Sequence, residues 1–181
     1  YDKHANIIIG ALDYEQLPSG SIRSHKIFNS GFLFSRDSSQ AIRKYDKHRL
    51  VPFSERLPWE DVIPAIQYLN MGEGDFTAGT ESPVWDSIGF SPQICFEVVY
   101  PYFVRNAIRG GAKMIVVMTN DAWFKHSTQP FQHANLLRYR AIENGISAVP
   151  TFMIDQERLV GAQSYEKLKS LMRRHNAGSK E

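Results

Sequence analysis

The stretch S-P-Q-I-C-F-E-V-V-Y-P, residues 91–101, contains the only cysteine of the chain, Cys95. An apolar strand-like run stops at this cysteine, and a helix-like run begins at Pro101, a residue suited to a helix start. The run K-M-I-V-V-M-T-N-D, residues 113–121, then predicts a second buried strand. Strand, helix and strand within about 30 residues form a βαβ unit, which predicts an α/β fold.

Cys95 is therefore expected at the carboxyl end of a strand, just before a helix. Ligands and catalytic groups gather at that edge of α/β sheets. Backbone N–H groups and a nearby cation both favour the thiolate form of a cysteine in such a place. The alternative for a lone thiol is a buried core cysteine without chemistry.

The remaining chain supports the same class of fold. The predicted elements are a buried strand in residues 5–12 ended by Gly10, a paired strand in 26–35, an exposed loop in 70–83, a strand pair in 84–97, and an amphipathic helix in 130–145 closed by Gly145.

Residues 147–176 differ in character from the rest. S-A-V-P-T-F-M-I-D-Q-E-R-L-V-G-A-Q (147–163) predicts a strand pair. The next segment (164–176) predicts a helix with one apolar face, formed by Tyr165, Leu168, Leu171 and Met172.

Composition excludes several classes of function. The 21 basic and 19 acidic side chains leave a formal charge of +2. The sequence shows no concentrated basic face, so no nucleic-acid partner is expected. One cysteine excludes an intrachain disulfide. The six histidines lack an H-x-x-x-H spacing, which predicts no metal site. We expect no cofactor. The longest apolar runs fall far short of the roughly 20 residues that span a bilayer. No signal peptide is visible. Because the chain begins with Tyr1, we expect it to derive from a longer protein.

A second segment with chemical potential is Y-D-K-H-R-L-V-P-F-S-E-R-L-P, residues 45–58. It contains Lys47 and Glu55 between stiffening prolines. A lysine beside a thiolate stabilises that anion and a developing oxyanion, and a carboxylate orients the lysine. The alternative is a solvated surface loop, where most lysines and glutamates lie.

A third segment, M-T-N-D-A-W-F (118–124), ends a buried strand with Asn120, Asp121 and Trp123. A large aromatic side chain there suits the wall of an acyl pocket. The alternative is a turn with a capping Asn or Asp and a packed Trp.

Together, Y-D-K-H-R-L-V-P-F-S-E-R-L-P, I-C-F-E and N-D-A-W-F…Q-H-A-N-L-L-R-Y-R-A-I-E-N-G resemble, in this order, the nitrilase-type domain of bacterial apolipoprotein N-acyltransferases. The resemblance covers residues 5–148. It implies an α/β, nitrilase-like α-β-β-α sandwich, incomplete at its N-terminus, with a short β-β-α tail. It also implies that Cys95 is the nucleophile, Lys47 its cationic partner and Glu55 a supporting carboxylate. Further positions match substrate-binding residues of the family: Phe96, Glu97, Asn120 and Trp123.

Several positions depart from the family pattern. The family's general-base glutamate is expected upstream of the segment that matches Tyr1, so we expect Cys95 to react while turnover is impaired. Ser54 replaces the usual glycine, Arg56 the usual aromatic residue, and Phe96 the usual tyrosine. Residues 149–175 resemble the C-terminal part of DsbA-type thioredoxin-like proteins, without a C-x-x-C motif. This predicts two domains, a truncated acyltransferase domain in residues 1–148 and a thioredoxin-like fragment in 149–181. The alternative is a divergent acyltransferase end.

The resemblance implies an acyl transfer from phospholipid to the N-terminal diacylglyceryl-cysteine of lipoproteins, through a thioester on Cys95. The parent protein is then expected at the periplasmic face of the bacterial inner membrane. One alternative is a soluble carbon–nitrogen hydrolase, although such enzymes show C-x-D-x-R-F-P where this chain has C-F-E-V-V-Y-P. Another is a non-catalytic hybrid fragment.

Overall fold

The computed structural model describes residues 6–21, 24–35, 42–57, 59, 62–63, 75–81, 83–85, 89–120, 128–154 and 157–160. The chain divides into two compact units, Tyr1–Pro83 and Val84–Glu181.

The first unit contains a three-stranded antiparallel sheet. Strands β1 (Ile7–Gln16) and β2 (His25–Phe34) pair over ten residues, and β2 also pairs with β3 (Arg43–Asp46). The predicted paired strand in residues 26–35 is confirmed. Strand β3 was not predicted, because its four residues are mostly charged and form a strand only through pairing with β2.

The prediction that residues 5–12 form a buried strand ended by Gly10 is wrong in two respects. The strand continues through Gly10, which lies opposite Gly31 of β2. Ile7, Ile9 and Leu12 remain 45 to 51% exposed. Within the described residues β1 pairs with β2 alone, at the end of the strand order, so an apolar β-branched run indicated the strand but not its burial.

The second unit alternates strands and helices, in the order β4 (Phe90–Ile94), α1 (Pro101–Arg109), β5 (Met114–Asn120), α2 (Gln129–Asn144), β6 (Ser147–Ile154) and β7 (Glu157–Val160). The sheet has the order β4-β5-β6-β7; β4, β5 and β6 are parallel, and β7 is antiparallel to β6. The predicted βαβ unit is confirmed, and a second one follows it. Pro92 is tolerated because β4 ends the order of the described strands, where a missing N–H breaks no ladder.

The strand pair predicted in residues 84–97 is wrong in its first half. Of the described residues in that range, only Phe90–Ile94 form a strand. Trp85 makes a single bridge to Phe90, with its N–H donating to the Phe90 carbonyl at 2.7 Å.

The core of this unit lies between β5 and the two helices. Ile115 and Val117 pack with Val98, Val104 and Leu137, and burial of each such side chain contributes about 1.5 to 3 kcal/mol.

Each helix ends at a glycine, as predicted. Gly145 adopts a left-handed φ of 62°, which costs glycine little, and its N–H donates to carbonyls of the last turn of α2. Packing of the helices against β5 fixes one edge of the sheet. At this edge β4 and β5 end side by side, with Ile94 paired to Met118.

The tail is confirmed as a strand pair, because β6 and β7 are antiparallel neighbours. Strand β6 begins at Ser147 and pairs in parallel with β5 along its first seven residues. It thus runs across the predicted domain boundary at 148/149, and that boundary stays a prediction. The helix predicted in residues 164–176 lies outside the described residues. None of the helices in the described ranges has the length and apolar character to cross a bilayer.

Candidate active site

In the first unit, Lys47 and Glu55 form a buried ion pair. The Lys47 ammonium donates to both carboxylate oxygens of Glu55, at 2.8 and 2.7 Å. The Lys47 side chain is 1% exposed and that of Glu55 is 15% exposed. Charged side chains are rarely buried unless they are paired, so this pair is a built feature rather than part of a solvated loop.

The backbone on both sides of Lys47 is held by neighbouring segments. Its N–H donates to the carbonyl of Asn29 on β2 at 2.8 Å, and its carbonyl accepts from the N–H of Gly79 at 2.9 Å. Gly79 lies so close to Asp46 that a Cβ atom would come within 2.7 Å of the Asp46 Cβ and clash with its carbonyl. Only glycine permits this approach, which fixes the position from which the lysine side chain projects.

Glu55 is positioned by the turn that contains it. The Glu55 N–H donates to the Val51 carbonyl at 2.9 Å, and the Val51 N–H donates to the Glu55 carboxylate at 2.7 Å. The side-chain amide of Asn29 donates to the same carboxylate at 3.4 Å, and the N–H of Phe76 donates to the Glu55 carbonyl at 2.9 Å. The carboxylate therefore has partners besides Lys47, which offset the cost of its burial.

His48 follows Lys47 and stacks on Tyr45, with ring centroids 5.3 Å apart. Burial lowers the pKa of His48, and the charge of Arg49 lowers it further, outweighing the opposite effects of Asp46 and Glu81. A neutral imidazole at this position adds no second cation beside Lys47.

In the second unit, Cys95 occupies the first residue after β4. It begins a 3₁₀ turn, Cys95–Val99, and adopts a φ of 52°. A non-glycine residue in this left-handed region costs about 1 to 2 kcal/mol. The cysteine is half-buried, and the strained backbone lifts it out of the strand direction at the carboxyl end of the sheet. This is the strand-to-helix placement that the sequence predicts for a nucleophile.

Glu97, in the middle of this turn, is fully buried. Its carboxylate accepts the N–H of Ile94 at 2.8 Å, so the side chain ties the turn back to the end of β4. Phe96 is half-buried, and its ring meets that of Tyr100 edge to face at 5.8 Å. The substrate-binding roles assigned to Phe96 and Glu97 stay predictions.

Asn120 is the last residue of β5 and is exposed at the sheet edge where β4 also ends. Trp123 lies outside the described residues. In the described part of the chain, no cluster of three or more His, Cys, Asp and Glu side chains is arranged to hold a metal ion.

The structure thus joins Lys47 with Glu55 in one unit, and Cys95 with Phe96 and Glu97 in the other. Sequence reasoning missed Asn29 and Arg140, which support these two clusters through hydrogen bonds. A signal for Arg140 was available: it follows Leu137 by three residues on α2, so a charged residue occupies a core position of the helical repeat.

Comparisons with known proteins show the family and the fold of this chain. The sequence profile of the carbon-nitrogen hydrolase family matches residues 2–168. The chain belongs to this family. The matched range also runs past residue 148 and includes all of β6 and β7.

Among curated relatives, the chain is 38% identical over 128 residues to the apolipoprotein N-acyltransferase of Geobacter metallireducens, a match that covers 68% of this chain and 24% of that protein. It is 37% identical over 150 residues to the apolipoprotein N-acyltransferase of Bradyrhizobium diazoefficiens, which covers 79% and 27%. The chain therefore spans about a quarter of the length of the curated relatives that it matches.

Solved structures support the same fold. The carbon-nitrogen hydrolase of Helicobacter pylori G27 matches with a TM-score of 0.54 and 19% identity, over 82% of this chain and 46% of the other. A cysteine-to-alanine mutant of the Nesterenkonia amidase of the nitrilase superfamily matches with a TM-score of 0.51 and 21% identity, over 83% and 47%. The nitrilase-like α/β class predicted from the sequence is confirmed.

Proposed function

We propose that this chain carries the acyl-transfer chemistry of an apolipoprotein N-acyltransferase. The observation that carries the proposal is the buried Lys47–Glu55 pair, whose charges are costly to bury. Within the second unit, Cys95 is held at a strand end by a left-handed backbone. The family membership and the names of the curated relatives point in the same direction.

In the first step, the Cys95 thiolate attacks the carbonyl carbon of a phospholipid acyl ester. The carbonyl oxygen becomes an oxyanion, which Lys47 and the N–H of Phe96 stabilise in this proposal. The carbon–oxygen ester bond then breaks, the lysophospholipid leaves as an alkoxide that takes a proton from water, and a thioester remains on Cys95. Splitting the transfer in this way replaces one difficult step by two easier ones.

In the second step, the α-amine of a diacylglyceryl-cysteine at a lipoprotein N-terminus attacks the thioester carbonyl. The carbon–sulfur bond breaks, the amine loses a proton to water, and the thiolate is regenerated. Both substrates are lipids or carry lipid, so the proposed place of action is a membrane surface, at the periplasmic face of the bacterial inner membrane. Asn120 and Trp123 are proposed to line the acyl site.

Intact-mass spectrometry tests this proposal. The chain is incubated with phospholipid vesicles, and we expect a mass increase of one acyl group that Cys95→Ala abolishes. Lys47→Met is expected to slow acylation by about a hundredfold, the effect of removing one oxyanion donor. Addition of a diacylglyceryl-cysteine peptide then removes the acyl group from Cys95.

Two results would contradict the proposal. Hydrolysis of short amides without acylation by phospholipid would favour the soluble carbon–nitrogen hydrolase. A folded chain whose Cys95 reacts with no acyl donor would favour the non-catalytic alternative.

A further inference from the structure

Arg140 of α2 holds the end of the turn that Cys95 begins. Its Nε donates to the carbonyl of Val98 at 3.1 Å, and one terminal nitrogen donates to the carbonyl of Val99 at 3.3 Å. The other terminal nitrogen donates to Glu143 at 2.6 Å. Val98 and Val99 are the last two residues of the turn, so one buried guanidinium binds both of its final carbonyls.

These carbonyls need a donor from outside the turn. The last carbonyls of a helical turn accept no hydrogen bond within it, and burial without a donor is unfavourable. The planar guanidinium presents several N–H groups in a fixed geometry, which suits two adjacent carbonyls. Arg140 is only 8% exposed, so its charge is buried at this contact and not spread over the surface.

The opposite end of the same turn is held by a second buried polar side chain, Glu97. The Glu97 carboxylate accepts the N–H of Ile94, which ties the start of the turn to β4. A residue with a left-handed backbone persists only where its surroundings over-determine the conformation. For Cys95 these surroundings include Glu97 on the strand side and Arg140 on the helix side.

We propose that Arg140 is a positioning residue for the nucleophile, which fixes the backbone of the Cys95–Val99 turn and thereby the N–H groups that face the oxyanion. The inference rests on the proposed role of Cys95 as nucleophile. According to this proposal, catalysis depends also on Arg140 of α2, a residue remote in sequence from the Cys95 turn.

The test uses the 181-residue chain, in which every thiol signal comes from Cys95. The variants are Arg140→Gln and Arg140→Lys, with Arg138→Gln as control, because Arg138 is exposed on the same helix. Two reactions of Cys95 are compared: alkylation by iodoacetamide, which needs only an accessible thiolate, and acylation by p-nitrophenyl acetate, which also needs the oxyanion stabilised. Circular dichroism gives the folded fraction.

We expect Arg140→Gln to lower the acylation rate by about ten- to a hundredfold, since small misplacements of catalytic groups have effects of this size. Alkylation should change by less than about threefold, because it does not use the oxyanion donors. Arg140→Lys should recover part of the acylation rate, and Arg138→Gln should alter neither reaction. Hydrogen exchange of residues 95–100 should accelerate in Arg140→Gln relative to β5.

The inference would be overturned if Arg140→Gln lowered the acylation and alkylation rates together, in proportion to the folded fraction. Unchanged hydrogen exchange of residues 95–100 in this variant would also overturn it. If Arg140→Gln does not fold, Arg140→Lys decides, with slower acylation expected and an unchanged rate contradicting the role. A wild-type Cys95 that p-nitrophenyl acetate does not acylate would refute the nucleophile and this inference together. Acylation by the ester but not by phospholipid would refute only the proposed function.

Discussion

The Lys47–Glu55 pair and the Cys95 turn are built in opposite ways. The pair is enclosed: both charges are largely buried, and the carboxylate accepts hydrogen bonds from Lys47, a backbone N–H and Asn29. The cysteine is half-buried and is presented by a strained backbone. The buried side chains of Glu97 and Arg140 hold the two ends of its turn. An ion pair needs partners that exclude water, whereas a nucleophile needs access to its substrate. The first region should therefore be sensitive to the loss of a charge, and the second to the loss of backbone geometry.

The largest effect is expected from Lys47→Met, which leaves the Glu55 carboxylate without its cation. We expect the free energy of unfolding to fall by about 3 kcal/mol, at the low end for a broken buried pair because Glu55 keeps some exposure. Urea denaturation followed by circular dichroism measures this change.

The matched control is Lys26→Met. It breaks the Lys26–Glu15 pair in the same unit, whose side chains are 39 and 55% exposed. Its expected cost is less than about 1 kcal/mol, because solvent screens exposed pairs. Equal losses in the two variants would show that the Lys47 pair is not the buried feature described above.

A smaller effect is expected at Cys95, where glycine and alanine can be compared. Because the φ of 52° suits glycine, Cys95→Gly should be more stable to urea than Cys95→Ala by about 1 kcal/mol. The control is the same pair of substitutions at Arg105, an exposed residue inside α1, where alanine should be the more stable by about 1 kcal/mol. An alanine preference at both positions would mean that the Cys95 backbone is relaxed.

The smallest effect concerns His48, whose pKa is lowered by burial from its ordinary value of 6.5. Below pH 6.5 the unfolded chain binds a proton that the folded chain resists, so His48 reduces the free energy of unfolding as the pH falls through this value. His48→Gln should flatten that dependence between about pH 7.5 and 5.0.

His25→Gln serves as the control for the pH measurement, because His25 is an exposed histidine of the same unit. It should leave the contribution of His48 to the pH dependence intact. A pH dependence that survives His48→Gln but not His25→Gln would contradict the assignment to the half-buried imidazole of His48.

Short windows of the sequence encode the elements that are set locally. The βαβ unit around Cys95, the helix start at Pro101 and the helix end at Gly145 follow from apolar periodicity and from the dihedral preferences of proline and glycine. The three motifs also indicated the family, because they agree in order and spacing with one family. None of these inferences requires information about which distant segments of the chain pack together.

Other features depend on residues that are distant in sequence, and only the folded structure reveals them. Two of these unpredicted features concern the first sheet: the exposure of β1 and the existence of β3. The other two are the close approach of Gly79 to Asp46 and the contact of Arg140 with the Cys95 turn. Burial, pairing and charge compensation are properties of the packing between segments. Arg140 illustrates the limit: its core position on α2 was readable, but its acceptors lie about 40 residues earlier in the chain. The fold alone brings its charge to the turn that carries Cys95.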